Sequence, residues 1–503
     1  MKRLYSCLSC LSVYTFFILC PQPLAAEESP VDSVRPNTVY TDAAAIDALY
    51  TAKVLADMPL FPFEQIPDSA EIRKAIAATW LSAPIESLAG IPAQEYIDSK
   101  GNTFKIDGEY ADDARTHYAI SITPVLMNYA LPDKKLVVPG TWIIYREVRT
   151  GIPSFITIYP RENPALSIHL KASAQKNRTK QSVIDVCLLN AYVRKGVYIA
   201  LPFEKLHTIS LSELRRLTRD TVPWDLFNSP VFLNTAEPMA KMIWQRMGQL
   251  TYLENGCFDE NGMPVYIDTL GPQTDFDIYA SLQINQERTN IIGGVDDAGF
   301  AKWLIDGMIK PIAGQGTLIQ SLKLMTDIPF THFTAAAVSK ENSPFFRLNW
   351  MRNLGAAALS LNLKRTVFPA QSGLDVTLSP FATTHAVSEV FSKERAASPA
   401  FLGYEKYAGY QVEYLEALLY YLTIMEPGHF YLGCLNKKES SAKIRDYYKI
   451  LVFLPYFDAQ GNFHIEVFAK GEYLSLEDFV TKHRDSFIAL VRVLIPEASV
   501  FNP

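Results

Sequence analysis

The sequence predicts an α+β protein, with a β-rich N-terminal domain followed by a domain in which a helix packs on an antiparallel sheet. Three observations predict it. Short apolar runs rich in β-branched and aromatic residues (Trp142 to Arg149, Phe155 to Tyr159, Val183 to Leu189, Val197 to Leu201) alternate with turn residues. Between Gly293 and Gly307, two glycines and two aspartates lead into a segment where Phe300, Trp303, Leu304 and Met308 recur at helical spacing. Further on, a helix over Gln411 to Met425 runs through Pro427-Gly428 into three strand-like runs.

At 503 residues there is room for two or three domains, and 47 Lys and Arg against 53 Asp and Glu leave a formal net charge of −6. That balance excludes the basic surface a nucleic acid would need. Met1-Lys2-Arg3, the apolar run Leu4 to Leu19 and the small-residue stretch Pro21 to Ala26 have the three regions of a secretory leader over residues 1–26, cleaved after Ala26. The apolar run, about 16 residues, is short for a membrane span, so the expected product carries no transmembrane segment and is exported to the periplasm or beyond. Losing Lys2 and Arg3 takes the net charge from −6 to −8. Cys20 is where lipid could attach, but Leu19 and Pro21 are not the small neighbours that such processing prefers. Cys7, Cys10 and Cys20 lie in the leader. The remaining Cys187, Cys257 and Cys434 are too few and too far apart for a disulfide framework or a metal site, and no cofactor is expected. Asn177-Arg178-Thr179 matches a glycosylation acceptor, which has meaning only in a eukaryotic source.

Residues 27–113 read as a partly helical lead-in, with patches over Asp42 to Met58 and Ala70 to Leu81. Residues 114–272 read as the β-rich accessory domain, which adds Gln249 to Tyr252 and Val265 to Asp268 to the strands above. Arg149-Thr150-Gly151 and Asp259-Glu260-Asn261-Gly262 supply hairpin turns. One helix is capped by Ser210 with Glu213, and another opens near Thr235. His169 and His207 are isolated, and Trp142, Trp224 and Trp244 read as core.

Residues 273–503 form the second domain. The Gly293-Gly294 turn places a helix N-terminus at Asp296 or Asp297, where orphan N–H groups and the helix dipole stabilise negative charge. Taken alone, Asp-Asp-Ala-Gly is an N-cap. A helix N-terminus is also where cysteine peptidases hold a thiolate. The stretch Asp296-Asp297-Ala298-Gly299-Phe300-Ala301-Lys302-Trp303 resembles the nucleophile motif of the NlpC family, papain-like cell-wall peptidases whose motif reads Asp-Cys-Ser-Gly-Phe before an amphipathic helix. The helix leading into Pro427-Gly428-His429 resembles the junction that enters the family's core sheet. The strands Phe430 to Leu435, Tyr447 to Leu454 and Phe463 to Phe468 would follow it, with a turn at Asp458 to Asn462. Ser475 with Asp478 caps a short helix, and Phe487 to Ile495 makes the last strand.

The resemblance implies a papain-like domain with a degenerate site: Asp297 at the cysteine position, Lys449 at the histidine position and His464 as the orienting residue. Asp296, Gly299 and His429 would meet substrate. Aspartate cannot carry out thiolate acyl transfer, so the implied role is binding of a peptidoglycan peptide or an envelope partner without hydrolysis. Two alternatives stand beside it. An active cell-wall hydrolase, amidase or endopeptidase, would use Asp297 as general base with His429 or His464 assisting, and needs a buried, unpaired carboxylate of raised pKa. A purely structural envelope protein would have its cleft filled. Residues 309–400 read as an insertion overhanging the cleft, with a helix around Leu348 to Leu361 and two lone histidines, His332 and His385. Asp297 and Lys449 repeat the charge signs of a thiolate–imidazolium pair, which leaves two arrangements: they face each other as an ion pair, or Lys449 reaches solvent and Asp297 only caps its helix.

Overall fold

A computed structural model describes residues 66–126, 137–174, 181–189, 191–228, 232–282, 290–326, 343–369, 373–381, 403–438, 445–459, 461–470, 472–494 and 501–503. All belong to the unit Asn37–Pro503. The leader, Cys20, the patch Asp42 to Met58, Asn177-Arg178-Thr179, His332 and His385 lie outside the described residues.

Helix α1 (Ala70–Ala75) is capped by Ser69, and the chain then tightens into a π-helical turn over Ala77–Leu81 that buries Trp80. Eight strands follow: β1 (Gln94–Ile97), β2 (Thr103–Tyr110), β3 (His117–Pro124), β4 (Thr141–Glu147), β5 (Pro153–Tyr159), β6 (Leu166–Ala172), β7 (Ser182–Leu188) and β8 (Ala191–Ile199). They pair in sequence order as one antiparallel sheet. The sheet thus begins inside the stretch read as a helical lead-in. In β2, buried Phe104 and Ile106 alternate with exposed Lys105 and half-buried Asp107, the period of a strand with one face on a core. Helix α2 (Leu211–Thr218) has Ser210 accepting the Glu213 N–H, and α3 (Ala236–Met247) opens after Thr235, both as expected.

Short strands β9 (Leu250–Tyr252), β10 (Gly256–Phe258), β11 (Pro264–Tyr266) and β12 (Gly293–Val295) come next, with β12 parallel to β9. Gly293-Gly294 is therefore strand, a correction to the expected glycine turn. The glycines serve closeness instead: a Cβ on Gly294 would stand 2.4 Å from the Leu253 Cβ.

Helices α4 (Asp297–Ala313), α5 (Phe346–Leu363) and α6 (Leu415–Met425) flank a six-stranded sheet. Its strands are β13 (Tyr410–Gln411), β14 (His429–Lys438), β15 (Arg445–Phe457), β16 (Phe463–Ala469), β17 (Glu472–Tyr473) and β18 (Phe487–Leu494), in the order β13-β18-β14-β15-β16-β17. Helix α7 (Leu476–Lys482) is capped by Ser475, whose hydroxyl accepts the Asp478 N–H. Two cores result. One joins Ile120, Trp142 and Ile168 of the first sheet to Leu418 of α6 and to Leu451 and Phe453 on one face of the second. The other packs Phe300 and Leu304 of α4 and Trp350 and Leu354 of α5 on the opposite face, against Leu432, Ile450 and Val452.

The protein is thus α+β with large antiparallel sheets. Helix α5 is a core element, whereas the sequence placed it in an overhanging insertion. Cys187, Cys257 and Cys434 are free and buried. Among the described residues no helix is long and apolar enough to cross a membrane.

Candidate functional site

Strand β12 delivers the chain to Asp296, whose extended backbone precedes α4 and whose Oδ1 accepts the Gly299 N–H at 2.7 Å. This is an N-cap that satisfies one of the orphan donors of the first turn. The turn is pressed against β10: the Asp296 N–H donates to Gly256 O at 3.1 Å, and a Cβ on Gly299 would lie 2.0 Å from that same oxygen. The Gln273 amide holds the strands behind it, donating from Nε2 to Cys257 O, Val265 O and Gly294 O and accepting the Gly294 N–H at Oε1.

Asp297 opens α4 and meets two further elements. Its Oδ2 accepts Nε of Arg347 at 2.8 Å and the backbone N–H of Ile450 at 2.7 Å, while its Oδ1 accepts Nη2 of Arg347 at 3.1 Å. One carboxylate thus ties α4 to the first turn of α5 and to β15 through a two-point ion pair and an amide. Burial lowers the Arg347 pKa, but the charge and hydrogen bonds of Asp297 outweigh it and hold the guanidinium above its usual range. Asp296 responds the other way. Burial, then the Asp297 charge, push its carboxyl up to about 8 against the pull of the Gly299 N–H and Arg347, which favours the neutral carboxylic acid.

Cys434 stands opposite Ile450 in the β14–β15 register and faces the same core. Burial pushes its thiol well up, with Arg347 opposing and Asp297 reinforcing. A thiol so held supplies no thiolate at neutral pH.

The structure brings Asp296, Asp297 and Gly299 together, and does not bring Lys449, His464 or His429 to them. The arrangement with an Asp297–Lys449 pair is corrected: the cation on Asp297 is Arg347. Ile450 faces α4 with Val452, whereas Lys449 has the parity of Leu451 and Phe453, which belong to the other core. Side chains alternate along a strand, so Lys449 lies on the face of β15 away from α4 and Asp297. His464 pairs with Tyr456, six residues along β15 from Ile450 and so about 20 Å away. Its Nε2 lies 2.9 Å from Asp458 Oδ2 in the hairpin turn. His429 is five residues before Cys434 on β14, roughly 17 Å along the strand. Its Nδ1 lies 2.9 Å from Glu426 O, and burial pushes its pKa down to about 3, so the ring is neutral.

Arg347 and the Ile450 amide were missed by sequence reasoning. Arg347 is 50 residues from Asp297, and nothing in its local spacing marks it as a partner. Among the described residues, no three His, Cys, Asp or Glu side chains are grouped to hold a metal ion.

Fold and site together define an α+β protein in which a carboxylate at a helix N-terminus is clamped between a second helix and an antiparallel sheet. Residues 62–226, which include the whole eight-stranded sheet, match a family described as a domain of unknown function, DUF8515. No curated protein and no solved structure matches the chain.

Proposed function

We propose that the chain is an exported, catalytically degenerate relative of the NlpC peptidases, which binds a cell-wall peptide or an envelope partner without cutting it. The observation that carries this reading is Asp297. It heads a helix lying on an antiparallel sheet, where the resemblance puts the nucleophile, and both its oxygens are engaged by Arg347 and the Ile450 N–H. Support also comes from Cys434, whose buried thiol lies on β14 and not at the helix N-terminus, and is held in the protonated state that does not perform acyl transfer. The reading of an active hydrolase with Asp297 as general base asks for an unpaired carboxylate, and the Arg347 contact counts against it. Export and the periplasmic or extracellular setting rest on residues 1–26.

The test is incubation of the purified chain, without residues 1–26, with muropeptides of defined stem length. Calorimetry reads binding and chromatography reads new amino termini. The expected result is saturable binding with no cleavage, unchanged after thiol alkylation. Thiol-sensitive cleavage overturns the degenerate reading, and failure to bind either muropeptides or isolated sacculi overturns the cell-wall ligand.

A further inference from the structure

Helix α6 (Leu415–Met425) is buried on every side. Glu416 is its one exposed residue, while Leu415, Leu418, Leu419 and Leu422 are wholly covered. A helix lying on a single sheet buries a stripe about 100° wide, so the unbroken buried run Ala417 to Thr423 needs a second surface on the other side. One surface is the second sheet, through Leu451 and Phe453 of β15. The other comes from the part of the chain that matches the family: the 3₁₀ turn Trp224–Phe227, with Leu226 wholly buried, lies against α6. Tyr420 touches both halves. Its ring packs edge-on against Phe457 and Phe463 of the second sheet, at 5.4 and 4.8 Å between centroids. Its hydroxyl end lies beside Arg161, Glu162 and Asn163 in the connection between β5 and β6.

Polar ties hold the same boundary. Arg161 Nε donates to Phe227 O at 2.6 Å, which fixes the 3₁₀ turn to the first sheet's β5–β6 connection. Phe232 forms a single parallel bridge with Phe457, at the end of β15. Arg194 of β8 donates through Nη1 to Pro380 O at 3.4 Å, and the segment that carries Pro380 pairs with β18 through the Val376 N–H on Leu490 O at 2.9 Å. Without the family domain the far side of α6 would stand open, and monomeric proteins rarely expose large contiguous apolar patches. The second sheet thus has two occupied faces. Ile450 and Val452 hold α4 on one, and Leu451 and Phe453 meet α6 on the other.

We propose that the DUF8515 domain serves in this chain as the intramolecular docking partner of α6, and that the two halves open as one cooperative unit. The partner its inner face fits is a helix that is apolar all round and already seated on a sheet by its other side. The domain's task is to hold the second sheet from behind, so that β15 presents the Ile450 N–H to Asp297 from the front. Coupling of this kind follows from burial: α6 is covered only when both halves are in place, and losing either one exposes its leucines to water. The inference stands apart from the NlpC reading, since it holds whatever the site at Asp297 binds.

The test is native-state hydrogen exchange of the whole purified chain, read by mass spectrometry in urea concentrations below the melting midpoint. The slowest amides of β5 and β6 and those of β14 and β15 are expected to merge into a single urea dependence, the mark of one cooperative unit. Leu226→Ala empties a site on the family side, and Leu418→Ala empties one on α6. Each should speed the slowest exchange about thirtyfold or more, and by the same factor in both pairs of strands. The proposal is overturned if the two pairs follow separate urea dependences in the parent chain. It is equally overturned if Leu226→Ala speeds exchange in β5 and β6 alone, or Leu418→Ala in β14 and β15 alone. Where an alanine variant fails to fold, the urea series on the parent chain decides by itself.

Discussion

Arg347 and Asp297 form a two-point ion pair, 2.8 and 3.1 Å, between the first turns of two helices separated by 50 residues of chain. The side chains are 28% and 14% exposed, so the pair sits between the fully wet case, worth about 0–1 kcal/mol, and the buried case, where removing one partner costs about 3–5 kcal/mol. The Ile450 N–H on the same carboxylate adds a donor that truncation would orphan. Arg347→Ala and Asp297→Ala are each expected to destabilise by about 1–3 kcal/mol in urea melts. A double-mutant cycle should give a positive coupling energy. Coupling within error of zero would show that the pair does not hold α5 to α4.

Asp296 links this cluster to pH. Its carboxyl titrates at about 8 in the folded chain and near 3.9 when unfolded. Between those values the native state holds a proton that the unfolded state has released, so its contribution falls as pH rises from about 4 to about 8. The buried His429 ring, held down to about 3, acts in the opposite direction on the acid side. The clean readout is therefore the difference between the wild-type chain and Asp296→Asn, whose amide can still accept the Gly299 N–H. The wild type should lose stability relative to the variant as pH rises from 5 to about 8, measured as the gap between their melting temperatures. Parallel melting curves across that range would mean that Asp296 carries no proton in the native state.

Gly299 tests how closely α4 must approach β10. A Cβ there would lie 2.0 Å from Gly256 O and 3.0 Å from the Cys257 Cα, both backbone atoms that cannot rotate away. Gly→Ala inside an exposed helix gains about 1 kcal/mol. At this position the clash should reverse the sign, giving a loss of about 1–3 kcal/mol. A Gly299→Ala chain as stable as the parent would mean that the hairpin of β10 and β11 yields without cost.

What could be read from sequence was local. Asp296 as a cap and the helix after it follow from adjacent residues, since a cap bonds only two or three positions ahead. The strands β14, β15, β16 and β18 follow from apolar runs of strand length, and the hairpin at Asp458 from its turn residues. Three features were misread, each for a nameable reason. Gly293-Gly294 signals a turn by composition, but a glycine also marks a place where two backbones need room, and the two cases look alike in one sequence. Strand β2 mixes Lys105, Asp107 and Glu109 with Phe104 and Ile106, and its charge hid its period of two. Lys449 was read as facing Asp297, whereas it shares the parity of Leu451 and Phe453 and so lies on the opposite face of β15. Arg347, the residue that closes the site, is brought in by tertiary packing alone.

The last prediction concerns a notch in α4 made by two residues that a helix ordinarily avoids. Pro311 has no N–H, so the carbonyl four residues earlier, that of Gly307, loses its helical donor. The structure fills that vacancy from outside: the Asn502 N–H donates to Gly307 O at 2.8 Å. Gly307 itself leaves space for Phe501, which is 1% exposed and packs edge-on against Trp303 at 5.1 Å between ring centroids. A Cβ on Gly307 would stand 2.3 Å from that ring. Phe501→Ala should therefore cost about 3–5 kcal/mol, the usual penalty for emptying an aromatic site in a core. Gly307→Ala should destabilise the parent chain by displacing the ring. In the Phe501→Ala background the clash is gone, and the same substitution should stabilise by up to about 1 kcal/mol through helix propensity. That change of sign, read from urea melts of the four chains, isolates the contact from any general effect of altering α4. If Gly307→Ala shifts stability in the same direction and by the same amount in both backgrounds, Phe501 does not occupy the notch in solution.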